Sequence, residues 1–553
     1  MLGACTPKAN NDLWLNSKVP LEGVAAYDYR ILDHWDNLDD SVERGYAGPS
    51  IWAWTADELP VDRIKTYGAL NQKLGINGIV LNNVNANPKV LDAEHLARVA
   101  EIARILDEYG IRTYLAVNFA SPQALGGLAT SDPLNEEVIA WWKAKVAEIY
   151  GLIPDFGGFL VKASSEGQPG PQDFGRTHVD GANMLADALK PHNGIVMWRA
   201  FVYASNDTDR AKQAYEEFMP FDGEFRDNVI IQIKNGPVDF QPREPFSPLF
   251  GGLKHTAMAP ELQITQEYTG QSKYFVFLGP LWEEFFIEDT YRDGPESEVY
   301  KVTTSCEPSL IAGVANVGQD ANWCGSIFAQ ANWYAFGRLA WDPTLTSEQI
   351  AEEWIRITFP KPKLMSNRRF TKKFVEPVVD MMVTSHETCV DFMMPLGLHH
   401  LFAWEHHFGP DPGCKVEGAR ADWLPSYYHK ADKDGIGFDR TRYGSDAVDQ
   451  YNEPLASIYN FVETCPEELV LWFHHLPWDF PMEDGQSLWD NLCWHYDMGV
   501  LKSEEYVQTW EKMRPYVDAE RFEAVAATLA EQVKGAKWWK ETCLGYFESV
   551  KNN

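Results

Sequence analysis

From about residue 25 to 340 the chain alternates short, two-face apolar runs with stretches of helical spacing. That repeat constrains the fold more than any other feature. The runs are Tyr27 to Trp35, Asn77 to Asn83, Arg112 to Phe119, Gly158 to Lys162, Ile195 to Phe201, Val229 to Lys234, Leu262 to Glu267 and Leu310 to Val317. Between them, Ala93 to Tyr109 places Leu96, Val99, Ile102, Ala103 and Leu106 on one helical face and stops at Gly110. Glu136 to Leu152 reads as a second helix. Strands that are apolar on both faces belong in a parallel sheet, and eight βα units predict a closed (β/α)8 TIM barrel. A ninth apolar run, Tyr274 to Leu278, reads as an extra strand that the count does not need. A doubly wound open sheet is the competing architecture, but no G-x-G-x-x-G follows the first strand.

Past about residue 345 the pattern becomes helical, at Ser347 to Thr358, Lys372 to Ser385, Glu504 to Met513 and Ala519 to Cys543, with Trp-, His- and Pro-rich loops between. The predicted organisation is an N-terminal remnant and linker (1–24), a catalytic barrel (25–345) and a mainly helical C-terminal domain (346–553). With 553 residues, 45% of them hydrophobic, the chain has enough material for two sizeable cores. Its 21 Trp suit either a large core or a sugar-binding cleft.

A formal charge of −32 sets it against nucleic acid and anionic membrane surfaces. It also means that an anionic substrate needs a local cluster of Lys and Arg. The eight Cys are scattered without a C-x-x-C pair, so no zinc site is expected, though a few disulfides stay open in an oxidising compartment. No apolar stretch is long enough to span a membrane. Leu2-Gly3-Ala4-Cys5 resembles the end of a bacterial lipoprotein signal. A periplasmic, cell-surface or secreted location with Cys5 as a candidate lipid anchor is the expectation, and a bacterial cytoplasmic one stays open.

Catalytic groups of such barrels sit at the C-terminal ends of the strands. Strand four runs out through Lys162 to Glu166, strand five at Arg199, strand six through Lys234 to Asp239, and strand seven at Glu267. Three carboxylates and three cations therefore share one rim. Glycoside hydrolysis needs one carboxylic acid to protonate the leaving oxygen and another carboxylate to attack or to activate water. Cations beside them suit an acidic sugar. Each residue also has a plainer role. Glu166 fits a loop cap or a partner for Lys162, Asp239 a turn residue after Gly236-Pro237, and Glu267 an internal counter-ion. Lys162, Arg199 and Lys234 are harder to explain as structural, because an unpaired charge inside an apolar strand is costly. Paired histidines at 399/400, 406/407 and 474/475 form no H-E-x-x-H helix and read as structural or cleft-rim groups rather than metal ligands. His178 and the loop from Gly409 to Gly418 are further candidates for the cleft border.

Longer motifs carry a resemblance. They include His34-Trp35-Asp36-Asn37-Leu38, Glu43-Arg44-Gly45-Tyr46-Ala47-Gly48, Leu81-Asn82-Asn83-Val84-Asn85-Ala86, Ser165 to Pro171, Lys234 to Pro245, Met394 to His400 and Gly435 to Thr441. Over roughly residues 25 to 550 the chain resembles the α-glucuronidases of glycoside hydrolase family sixty-seven. The resemblance implies Glu166 as general acid and Asp239 and Glu267 as the carboxylates that activate water, their division of labour left open. It implies Lys162, Arg199 and Lys234 around the uronate carboxylate, Val84 at the pocket for a 4-O-methyl group and Trp35 as a stacking platform. The implied reaction removes α-1,2-linked (4-O-methyl-)glucuronic acid from the non-reducing end of xylo-oligosaccharides with inversion, acid and base carboxyls standing about 6.5–9.5 Å apart. No metal or organic cofactor is implied, and a homodimer is admitted. A related barrel hydrolase of other sugar specificity and an inactive carbohydrate-binding relative are the alternatives. Family members usually carry a β-rich domain before the barrel; Asp12-Leu13-Trp14-Leu15 resembles its start, and the resemblance implies that most of it is missing.

Overall fold

The computed structural model describes residues 14–201, 209–405 and 407–552. Cys5 and His406 lie outside them. Eight parallel strands close into a barrel in sequence order: β1 Tyr29–Asp33, β2 Gly78–Val80, β3 Arg112–Ala116, β4 Gly158–Val161, β5 Ile195–Arg199, β6 Val229–Lys234, β7 Met258–Gln263 and β8 Leu310–Val314. The closing pair sets Leu32 of β1 opposite Gly313 of β8. The main helices are α1 Val61–Lys73, α2 Ala93–Asp107, α3 Glu136–Leu152, α4 His178–Leu189, α5 Arg210–Phe218, α6 Gly279–Ile287, α7 Ile327–Trp341, α8 Ser347–Thr358, α9 Glu376–Met393, α10 Leu488–Glu511 and α11 Ala519–Lys551. None is long and apolar enough to cross a membrane.

Local chemistry explains these boundaries. Asp92, Asn135, Thr177, Ser326 and Thr346 cap α2, α3, α4, α7 and α8 by accepting from backbone N–H groups of the first turn. Gly158 opens β4 at φ 137°, where an added Cβ would lie 1.9 Å from the Ile195 carbonyl oxygen; only glycine admits β5 this closely. Every residue of α7 from Ile327 to Ala340 is buried, because the helix has the barrel on one side and the C-terminal helices on the other. Trp14, ahead of the barrel, stacks on Trp333 at 5.4 Å and donates from Nε1 to the Thr358 hydroxyl, so it joins α7 to α8.

Two strand readings need correction. Strand seven lies four residues earlier than predicted, ending at Gln263 rather than Glu267. The apolar run beginning at Leu262 misplaces it because Pro260 and Glu261 look like breakers. In the barrel the Glu261 charge is met by Arg199, so the residue is tolerated inside. The run from Tyr274 to Leu278 is not a strand. Its N–H groups at Phe275, Phe277 and Leu278 donate to Gln532 of α11, Ser385 of α9 and Asn332 of α7. These bonds pin an extended, buried segment to three helices at once. The seven described cysteines are free thiols.

Candidate active site

A cavity of about 310 Å³ opens at the C-terminal mouth of the barrel. All eight residues singled out from the sequence line it: Trp35, Val84, Lys162, Glu166, Arg199, Lys234, Asp239 and Glu267. Its other walls include Glu43, Arg44, Asn85, Phe201, Arg210 and Tyr268 from the barrel and a roof of His400, Phe402, Trp404, His407, Cys414 and Trp423 from the segment after α9.

The floor is a buried polar layer. Arg199 on β5 forks onto Glu261 of β7, with Nε to Oε2 at 2.9 Å and Nη2 to Oε1 at 2.6 Å. Gln232 of β6 donates to both Glu261 and Asp33 of β1. Burial, reinforced by the Glu261 charge, pushes the Asp33 carboxyl up to about 8.

Above this floor three cations surround one ring. Lys234 Nζ lies 3.6 Å, Lys162 Nζ 5.0 Å and Arg199 Cζ 5.2 Å from the Phe201 centroid. The negative face of an aromatic ring lowers the mutual repulsion of charges so placed. Each cation also faces a carboxylate. Lys162 leaves the end of β4 with only 3% of its side chain exposed and donates to Glu166 Oε2 at 2.5 Å and to Asn85 Oδ1 at 2.9 Å. Glu166 reaches back because Ser164 and Glu166 both adopt left-handed backbone, at φ 54° and 48°. The loop closes tightly enough that a Cβ on Gly170 would meet Ser164 Oγ at 1.9 Å. Left-handed non-glycine residues of this kind concentrate at functional sites. Burial tends to raise the Glu166 carboxyl, but the Lys162 ammonium outweighs it and holds Glu166 below its ordinary value. For Lys162, burial dominates and draws its ammonium down.

Across the cavity the carboxylates are held more firmly. Asp239 accepts from Lys234 at 2.6 Å, from the Tyr268 hydroxyl at 2.5 Å and from the Phe240 N–H. Burial opposes its ionisation, yet Lys234 and the hydrogen bonds keep it well below the ordinary carboxylate range. Its loop is tied down by Glu244, which accepts from the Val238 and Asp239 N–H groups. Glu267 lies in the loop beyond β7 and accepts from Gln263; its Oε1 is 2.9 Å from Arg44 Nε and 2.7 Å from His407 Nδ1. Tyr268 stacks on His407 at 4.6 Å, which joins the two carboxylates into one network.

Glu166 pairs with Lys162 and also lines the cavity. Trp35 is 7% exposed, with Arg199 5.8 Å from its ring, and Val84 is buried in the wall. His400 and His407 line the cavity, while His399 packs on Trp472 and His475 bonds the Gly437 carbonyl. His178 does not border the cleft; it is buried between Trp198, Phe218 and Glu217. Sequence reasoning missed Glu43, Arg210, Phe201, Glu244 and Glu261 as site components. Glu43 and Arg44 belong to a motif shared with the family, but nothing in their spacing marks them; the structure brings Glu43 against Asn83 and Asn85.

Comparison with known proteins assigns the chain to a family. The glycosyl hydrolase family 67 middle-domain model matches residues 16–323 and the family 67 C-terminus model residues 324–553. A probable alpha-glucuronidase A of Neosartorya fischeri is 41% identical over 536 residues, and alpha-glucuronidase A of Emericella nidulans 40% identical over 540. Each match covers 94% of this chain and 62% of the relative's length. The chain belongs to glycosyl hydrolase family 67.

Proposed function

We propose that this protein is an inverting α-glucuronidase that removes α-1,2-linked (4-O-methyl-)glucuronic acid from the non-reducing end of xylo-oligosaccharides. The observation that carries this reading is the cation cluster above the cavity floor, where Lys162, Arg199 and Lys234 surround Phe201 within reach of Glu166 and Asp239. Relatives named alpha-glucuronidase support the choice of sugar. In this mechanism Glu166 gives its proton to the glycosidic oxygen as the bond to the anomeric carbon breaks. A water attacks the opposite face, and its proton passes to the Asp239–Glu267 network. The products are the uronic acid with inverted anomeric configuration and a free xylosyl hydroxyl. The cations hold the uronate, Trp35 stacks on the ring and Val84 meets the 4-O-methyl group. We also propose an envelope or extracellular location on the strength of the Leu2 to Cys5 pattern.

Incubation with aldouronic acids tests the reading. Wild type should release glucuronic acid with inversion and Glu166→Ala should not; a wild type that releases none overturns it. Arg199→Ala should lose more activity on the charged substrate than on a neutral analogue.

A further inference from the structure

Four cations of this cavity are already paired with the enzyme's own carboxylates. Lys162 faces Glu166, Arg199 faces Glu261, Lys234 faces Asp239 and Arg44 faces Glu267. With Arg210 and Glu43 also in the wall, a uronate brings one more negative charge into a set that already holds as many carboxylates as cations. In a desolvated cavity an unbalanced charge is expensive, and groups there change protonation to avoid it.

The carboxylates differ in how firmly they are kept ionised. Asp239 accepts from Lys234, Tyr268 and the Phe240 N–H. Glu261 takes both arms of Arg199 and the Gln232 amide. Glu267 has Arg44, His407 and Gln263. Glu43 receives amide donors from Asn83 and Asn85. Glu166 has one partner among the described residues, Lys162, and its side chain is 40% exposed where those of Asp239, Glu261 and Glu267 are 12%, 1% and 5% exposed. Lys162 carries three donors, of which Asn85 and Glu166 take two.

We propose that the substrate loads its own catalytic acid: the uronate carboxylate draws Lys162 away from Glu166, and Glu166 takes up a proton from solvent in its place. This rests on the uronate-hydrolase reading above. The charged groups that face Glu166 are Lys162 from β4 and Lys234 and Asp239 from β6 and its loop, while Arg199 and Glu43 act on Lys162. In the empty site Lys162 keeps Glu166 ionised, and an ionised Glu166 has no proton to donate. Partial neutralisation of Lys162 and the nearby uronate charge both favour the protonated form. The uronate and Lys162 keep their charges. The proton moves from solvent to Glu166 and then to the leaving xylosyl oxygen, and Glu166 pairs again with Lys162 when the product departs. A neutral sugar in the same pose does not arm the acid, so discrimination falls on kcat as well as on KM.

Titration calorimetry with glucuronate, in buffers of different ionisation enthalpy between about pH 4 and 8, reads this out directly. Wild type should take up close to one proton per uronate within part of that range, and Kd should weaken there by up to about tenfold per pH unit. Glu166→Gln should bind glucuronate without proton uptake and with a flatter pH dependence; glucose should cause no uptake in either protein. Uronate binding by wild type with no uptake, or equal uptake by Glu166→Gln, overturns the proposal and leaves the substrate reading standing. A wild type that neither binds glucuronate nor cleaves aldouronic acids fails the substrate reading itself and the proposal with it.

Discussion

On the β4 side of the cavity, Glu166 stands on a left-handed loop with one partner and 40% of its side chain exposed. On the β6–β7 side, Asp239 and Glu267 are 12% and 5% exposed, each held by several donors, and Tyr268 with His407 connects them. The difference matches the proposed roles. A base that activates water must be ionised and in place when substrate arrives, which dense hydrogen bonding secures. An acid must alternate between protonation states, which a single exchangeable partner permits. The same polar residue types thus serve a rigid half and a responsive half of one site.

The comparison is broken most severely by neutralising the rigid side. Asp239→Asn should lower kcat by about 10²–10⁴-fold, on natural substrate and on an aryl glucuronide alike, because the attacking water must be activated whichever group leaves. Glu166→Gln should approach that loss on aldouronic acids but lose far less on the aryl substrate, whose leaving group needs little protonation. Parallel losses on both substrates in steady-state assays would remove the distinction between the sides.

A second contrast sets the floor against the rim. Glu261→Gln leaves the Arg199 guanidinium buried without its counter-charge, and breaking such a pair costs roughly 3–5 kcal/mol. Glu166→Gln also strands a buried cation, Lys162, but that ammonium keeps Asn85 and can give up its proton, so the variant should be destabilised less than Glu261→Gln. Equal destabilisation of the two variants would mean that the floor pair is not the structural one. The floor also carries a pH signature. Asp33, raised to about 8 chiefly by burial, is held protonated in the folded state across a range where the unfolded chain ionises it. Its contribution is fully present below the ordinary carboxylate value near pH 4 and is lost as pH rises through about 8. Asp33→Asn should therefore flatten the decline of the thermal midpoint over that interval.

What the sequence disclosed follows the same division. The strands are legible because both of their faces are buried, so Val229 to Lys234 reads as a strand from an apolar run that only Gln232 and the terminal Lys234 interrupt. Lys162, Arg199 and Lys234 are legible because charges break apolar runs. Strand seven is misplaced where that logic inverts, Glu261 being compensated by a residue on β5 that sequence cannot pair with it. The roof is hidden for a different reason. Trp404 and Trp423 lie in a segment without periodicity, and only tertiary packing brings them back to the barrel mouth beside His400 and His407.

The smallest expected effect tests the link between the two sides. Phe201 is an apolar wall of the cavity, and cations from the ends of β4, β5 and β6 lie within 5.2 Å of its ring centroid. Phe201→Leu keeps an apolar side chain there and removes the ring's negative face. Each lost cation–π contact is worth about 0.5–2 kcal/mol. Part of that loss falls on free and uronate-bound enzyme alike, because the cations are paired in both, so KM for aldouronic acids should rise only a few-fold. If the ring holds Lys162 and Lys234 at a common focus, glucuronate affinity should weaken in Phe201→Leu while affinity for a neutral analogue stays unchanged. Weakening of both to the same degree would assign Phe201 to cavity shape alone, and the two sides would then be joined only through the substrate.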